Sequence, residues 1–225
     1  MNHAQIMAAL RGNVTVSCQA YPGEPMRDPR TMTQMAEAVV LGGAAAVRAQ
    51  GLDDIRSIVA AVEVPVIGLV KDGADGVFIT PTLEHALAVA EAGAHVVALD
   101  GTRRPRPDGR TLAETIQGLK AQYDVLVMAD CGSLDDAKAA EAAGADFIGT
   151  TLAGYTRERE KTEGVDFELV AEVVAACERP VVVEGRIRTP HDVTRAFELG
   201  AFNVCVGTAI THPTSITGWF VNRGA

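Results

Sequence analysis

The sequence predicts an α/β fold, a single (β/α)8 barrel spanning residues 1–225, and three observations lead there. Short apolar runs alternate with Ala- and Glu-rich helical stretches along the whole chain, in eight strand–helix units. One helix-to-strand joint recurs three times, as Glu-Ala-Gly-Ala (91–94), Ala-Ala-Gly-Ala (142–145) and Glu-Leu-Gly-Ala (198–201). In each, glycine in a left-handed conformation ends a helix and the chain turns straight into the next strand. No linker or shift of composition interrupts the 225 residues, a length that suits one barrel.

Taken in order, Val14–Gln19 is the first strand, followed by a helix over Thr31–Leu41 and a second strand over Ala44–Ala49. A helix over Asp53–Val62 leads to strand three, Val66–Lys71. Residues 72–81 are irregular, with Val77-Phe78-Ile79 as a short extra strand. The helix Leu83–Ala92 and strand four, His95–Asp100, precede an Arg- and Pro-rich loop over Gly101–Gly109 that suits an active-site rim. Thr111–Gln122 is helical and Val125–Asp130 is strand five. The helix Leu134–Ala143, with Ser133 as its N-cap, leads to strand six, Ala145–Thr150, and a polar loop over Gly154–Gly164. Asp166–Cys177 is helical and Val181–Glu184 is strand seven. Thr189-Pro190 supplies a cap and a first-turn proline for the helix Pro190–Leu199. Phe202–Gly207 is strand eight and Ser215–Val221 the last helix.

Chemistry concentrates at the strand ends. The run Pro65-Val66-Ile67-Gly68-Leu69-Val70-Lys71 is apolar until its last residue, the signature of a strand covered on both faces. Lysine is rare in such surroundings, and the carboxyl end of a barrel strand is where this architecture carries its chemistry. The other lysines, Lys120, Lys138 and Lys161, fall on helix surfaces or in a polar loop, so Lys71 is the candidate amine base. An ordinary lysine is under about 0.1% neutral at pH 7, and bringing it to neutrality costs about 4 kcal/mol. Gln19, Arg48, Asp100, Asp130 and Glu184 end strands one, two, four, five and seven. By strand alternation they share a mouth with Lys71. An ion-pair plug is the competing reading of this ring, and a solvent-seeking strand-end residue that of Lys71.

Glu184-Gly185-Arg186-Ile187 follows strand seven and Val206-Gly207-Thr208-Ala209-Ile210-Thr211 follows strand eight. Glycines there let backbone amides approach an anion, and loops after strands seven and eight are the usual phosphate site of such barrels.

Other classes are excluded. The formal net charge is −9, so no general positive field recruits nucleic acid. No apolar run nears the roughly 20 residues that span a bilayer, and residues 1–13 lack the apolar core of a signal peptide. Cys18, Cys131, Cys177 and Cys205 form no CxxC pair and suit reduced thiols of a cytoplasmic protein. His3, His85, His95 and His191 show no metal-ligand spacing, and neither Ser17 nor Cys131 has a nearby histidine base. No metal and no cofactor is expected.

The chain resembles the N-acetylmannosamine-6-phosphate 2-epimerases of bacterial sialic acid catabolism. The resemblance is carried by Val16-Ser17-Cys18-Gln19-Ala20, Arg48-Ala49, Val66-Ile67-Gly68 with Lys71, and Ala98-Leu99-Asp100-Gly101-Thr102. It continues through Ala129-Asp130-Cys131, Gly149-Thr150-Thr151-Leu152-Ala153-Gly154-Tyr155-Thr156, Glu184-Gly185-Arg186-Ile187 and Val206-Gly207-Thr208-Ala209-Ile210-Thr211. It implies a (β/α)8 TIM barrel that interconverts N-acetylmannosamine 6-phosphate and N-acetylglucosamine 6-phosphate through proton removal at C2. It further implies Lys71 and Glu184 as catalytic residues, and Gln19, Arg48, Asp100 and Asp130 at the substrate. Gly185, Arg186, Gly207 and Thr208 fall to the phosphate, with His212 standing where the family usually carries arginine. Gly132 stands where it usually has serine. The partner implied is a small phosphosugar, with no nucleic acid and no membrane, and a homodimer is expected. A Schiff-base aldolase using Lys71 and a non-catalytic phosphosugar-binding barrel are the two alternatives.

Overall fold

The recurrent glycine joints have the conformation their sequence predicts. Gly93, Gly144 and Gly200 sit at φ of 98°, 93° and 96°. The amide of each following alanine reaches back into the helix, Ala94 to Val89, Ala145 to Ala140 and Ala201 to Ala196. The computed structural model describes residues 1–222, and residues 223–225 of the expected domain lie outside the described residues.

Eight strands follow one another in parallel: β1 (Asn13–Cys18), β2 (Ala46–Gln50), β3 (Val66–Leu69), β4 (Val96–Asp100), β5 (Leu126–Asp130), β6 (Phe147–Gly149), β7 (Val181–Glu184) and β8 (Asn203–Val206). They pair in sequence order and β8 returns to β1, so the barrel is closed. Helices α1 (His3–Leu10), α2 (Pro29–Leu41), α3 (Leu52–Ala61), α4 (Leu83–Glu91) and α5 (Leu112–Lys120) lie in the first half. α6 (Leu134–Ala142), α7 (Phe167–Ala176), α8 (Pro190–Glu198), α9 (Thr208–Thr211) and α10 (Pro213–Val221) lie in the second. Side-chain caps start most of them: Thr82, Thr111, Ser133 and Thr189 each accept the amide three residues on.

Two cores result from strand alternation. Val47, Val97, Val127 and Val183 point outward into the layer shared with the helices, among Ile55, Ile58, Val89, Leu119 and Val173. Ala46, Ile67, Leu69, Ala98, Met128, Phe147 and Val182 point inward and fill the barrel. Two features went unpredicted from sequence. Residues 3–10 form α1, capped by a reciprocal Asn2–Gln5 box, and Ile6 and Leu10 join the barrel's inner core. Asn203, at the start of β8, donates to the carbonyls of Leu10 and Asn13 and ties this plug to the amino ends of the strands. The short extra strand is present as an antiparallel bridge between Lys71 and Ile79, so residues 72–78 form a hairpin beyond β3 rather than part of it.

Gly68 in β3 is set by packing, because a Cβ there meets Ala94 at 2.7 Å, Val89 at 2.9 Å and Ile55 at 3.0 Å. Gly68→Ala is expected to lower stability by about 1–3 kcal/mol, since overpacking forces strand and helix apart. Gly218→Ala, in a helix with open space around the site, is expected to raise it by about 0.5–1 kcal/mol. Urea unfolding midpoints of the two variants check both signs.

Candidate active site

The inward side chains at the carboxyl ends of β2, β5 and β7 meet at the top of the barrel. Arg48 is 1% exposed and donates to both carboxylate oxygens of Asp130, at 3.1 and 2.6 Å. Its Nη1 also lies 3.0 Å from Glu184 Oε2. Thr151 Oγ1 lies 2.6 Å from Asp130 and 3.2 Å from Glu184, which bridges the two carboxylates from the β6 side. Two acids on one arginine settle its charge: burial alone lowers the guanidinium pKa, but the charges of Asp130 and Glu184 outweigh it and raise it. Arg48 Nε is buried with no hydrogen-bond partner.

Above this cluster opens a cavity of about 640 Å³. Lys71, Gln19, Arg48, Glu184, Gly207 and Thr208 line it. Lys71 Nζ donates to Gln19 Oε1 at 3.0 Å, and Gln19 Nε2 donates to Ser17 Oγ at 2.6 Å. Lys71 is an exposed residue that lines this cavity, with its amine on Gln19 and 5.8 Å from the Tyr21 ring centre. Desolvation and the nearby Arg48 charge lower its pKa from 10.5, against the pull of Glu184 and Asp130. Glu184 moves the other way. Its burial and the charge of Asp130 raise its pKa from 4.5, against Arg48, Thr151 and Lys71. An amine shifted toward its neutral form and a carboxyl shifted toward its protonated form thus share one cavity, a pattern that separates base from acid.

Several predicted residues sit differently from expectation. Asp100 is fully buried, but its carboxylate accepts from Thr102 and Arg104 and lies outside the cavity lining. The Arg- and Pro-rich loop after β4 folds back over its own strand end, with Arg106 on the carbonyls of Asp100 and Thr80. Asp130 does not line the cavity either; it holds Arg48. Gly185 lies at φ 116° and Arg186 at φ 58°, so the turn after β7 exposes backbone to the cavity. The Arg186 guanidinium turns away to Gly164 O, Ala153 O and Thr162 Oγ1, clipping the loop after β6. His212 caps α10: its Nδ1 accepts from the Ser215 amide, and its Nε2 pairs with Glu24 in the loop after β1. Both nitrogens are thus engaged by protein groups, while His212 itself lines the cavity.

Sequence reasoning missed Arg188 and Trp219, which line the cavity from the loop after β7 and from α10. It also missed Tyr21, whose ring stands edge-on to His212 at 5.2 Å and 5.8 Å from Lys71 Nζ. Their only signal is position in loops that follow strands. Burial pushes the Cys18 thiol to about 12 and raises Cys131 and Cys205 as well, which disfavours their thiolate forms. Among the described residues no group of three or more His, Cys, Asp or Glu has a metal-holding arrangement.

A closed eight-stranded barrel whose polar strand ends gather around a cavity at the carboxyl ends of the strands, lined by the loops after β7 and β8, has the layout of the (β/α)8-barrel enzymes. Comparison with known proteins narrows the class. The profile of the family described as "NanE: Putative N-acetylmannosamine-6-phosphate epimerase" matches residues 32–224. A relative from Cutibacterium acnes, named "Putative N-acetylmannosamine-6-phosphate 2-epimerase", is 62% identical over 96% of this chain and 95% of its own. One of the same name from Corynebacterium glutamicum is 48% identical over 97% and 96%. The solved N-acetylmannosamine-6-phosphate 2-epimerase from Clostridium perfringens superposes with a TM-score of 0.95 at 38% identity, over 99% of this chain and 98% of that one. This chain belongs to the N-acetylmannosamine-6-phosphate 2-epimerase family. A thiamine phosphate pyrophosphorylase from Pyrococcus furiosus, at 17% identity and TM-score 0.61, shares the fold alone.

The arginine hub has a measurable consequence. Arg48→Met leaves Asp130 and Glu184 facing each other without a counter-charge, and about 3–5 kcal/mol of stability is expected to go. Loss of the Arg48 charge removes an influence that lowers the Glu184 pKa, so folded Glu184 holds its proton more strongly than the unfolded chain does, and the variant's stability falls as pH rises and recovers on acidification. Thermal midpoints between pH 5 and 8 check this: the wild type loses less stability than the variant as pH increases.

Proposed function

We propose that this protein interconverts N-acetylmannosamine 6-phosphate and N-acetylglucosamine 6-phosphate, an isomerase of sialic acid and amino-sugar breakdown. The observation that carries the proposal is the acid–base pair of Lys71 and Glu184 on one cavity, with shifts in opposite directions, in a chain of this family.

In the reaction the sugar ring opens to its C1 aldehyde. The neutral Lys71 amine takes the C2 proton, the C2–H bonding pair moves into the C1–C2 bond, and negative charge develops on O1. The Arg48 charge beneath the cavity favours that anion. Glu184, held toward its protonated form, gives its proton to the ring oxygen as the O1 hydroxyl proton returns to its carboxylate, and the proton so regained goes to the other face of C2. Proton exchange between the two groups resets them. Gln19 orients the Lys71 amine through the hydrogen bond it accepts and meets the substrate beside it. Asp130 acts through Arg48 rather than on the sugar. Backbone of Gly185, Gly207 and Thr208 receives the phosphate, which fixes C2 against the amine.

The same reading takes the chain as one domain acting in the cytoplasm as a homodimer. Its support is the closed single barrel, four free cysteines, the absence among the described residues of any helix long and apolar enough to cross a membrane, and exposed Leu41 and Phe220 as apolar contact surface.

Proton NMR of N-acetylmannosamine 6-phosphate with the protein in D2O is expected to show deuterium entering C2 of the product; product that keeps its C2 proton eliminates the deprotonation route. Lys71→Ala is expected to lose about 10³-fold or more in kcat while melting like the wild type. kcat/KM is expected to trace a bell in pH, because the amine must be neutral and the carboxyl protonated. Its inflections fall below 10.5 and above 4.5, the ordinary lysine and glutamate values.

A further inference from the structure

The cations around the cavity differ in what they are free to do. Arg48 is held by two carboxylates, Arg186 by three oxygens of the loop after β6, and Lys71 by Gln19. Lys161 lies over the Tyr155 ring at 4.6 Å, on the same loop as that ring. Among the described residues Arg188 alone combines a rigid mount with an open fork. Its backbone amide donates to Asp192 Oδ2 at 3.0 Å, inside the box that caps α8, so the base of the residue is fixed. Buried Ile187 anchors the segment from the previous position. The guanidinium lies 5.3 Å from the centre of the Trp219 ring of α10, and both residues line the cavity. Among the described residues its nitrogens have no hydrogen bond and no ion pair.

A guanidinium laid on an indole keeps its N–H edge available, and that edge matches a phosphoryl group with two parallel bonds. The location suits this use. Arg188 follows Gly185 and Arg186 on the β7 loop, whose left-handed backbone faces the cavity, and Gly207 and Thr208 line the same cavity from β8. His212, the other candidate cation at this end, is closed off by Ser215 and Glu24. In a chain of net charge −9 a dianion needs a local positive group.

We infer that Arg188, seated on Trp219, is the charged ligand of the substrate's phosphoryl group. This rests on the phosphosugar reading above. It assigns the discrimination between phosphorylated and unphosphorylated sugar to one side chain remote from the proton transfer, so the effect falls on binding and not on chemistry.

Arg188→Gln, Arg188→Lys and the wild type are compared by calorimetric titration with inorganic phosphate and with N-acetylglucosamine 6-phosphate, and by NMR turnover of N-acetylmannosamine 6-phosphate. The expected result for Arg188→Gln is a loss of about tenfold or more in both affinities, with KM raised in proportion and kcat within about threefold. Arg188→Lys, which keeps the charge and loses the fork, is expected to fall between. Wild-type affinities and KM in Arg188→Gln overturn the assignment while leaving the epimerase reading intact. Absence of turnover in the wild type, with phosphate affinity lost only on changing Arg188, overturns the epimerase reading and leaves the assignment standing.

Discussion

Arg48 is the constraint on which the upper half of the barrel depends. A buried guanidinium is tolerated only when its charge is met, and here two carboxylates from β5 and β7 meet it. The pairing joins three strands across the barrel interior and fixes where Glu184 sits. It also sets the electrostatics above it. The positive charge counts against protonating Lys71, while burial and the charge of Asp130 count against ionising Glu184. One cluster therefore serves as barrel-top packing and as the field that lowers the Lys71 pKa and bears on that of Glu184, so the plug and active-site readings of the polar ring concern the same atoms.

The loops complete what the strands begin. After β4 the loop closes on its own strand end through Arg106 and Arg104, which withdraws Asp100 from the mouth. After β6 and β7 two loops are clipped together by Arg186, and after β1 and β8 by the contact of Glu24 with His212. Long charged side chains at this rim mostly hold protein to protein, and Arg188 over Trp219 is the exception that faces the cavity beside Lys71, Gln19, Glu184 and the glycine turns.

Much of this was legible in the chain. The barrel followed from alternation and from the glycine joints, because helix termination and strand burial are governed by local rules. Lys71, Gln19, Arg48 and Glu184 come to line one cavity because the parity of an apolar strand turns its polar end residue toward the mouth. The errors lie where local rules stop. Asp100 has the correct strand parity, yet Thr102 and Arg104 take its oxygens. Arg186 stands in the expected turn, but its side chain length lets it reach Ala153. Arg188 and Trp219 are 31 residues apart in sequence, and their stacking exists only in three dimensions. The helix α1 was passed over because eight residues without a turn signal carry little periodicity to detect.

That helix adds a floor to an interior that is already filled. With Ile67, Leu69, Met128 and Phe147 packing the middle and Ile6 and Leu10 beneath them, held by Asn203, the cavity at the carboxyl ends opens on one side only. Whatever small molecule occupies the chamber must back out by the opening it came in, and the next one waits until it has gone. Departure and arrival are thus a single gate's business, and the rim residues that admit a guest also govern how long it stays.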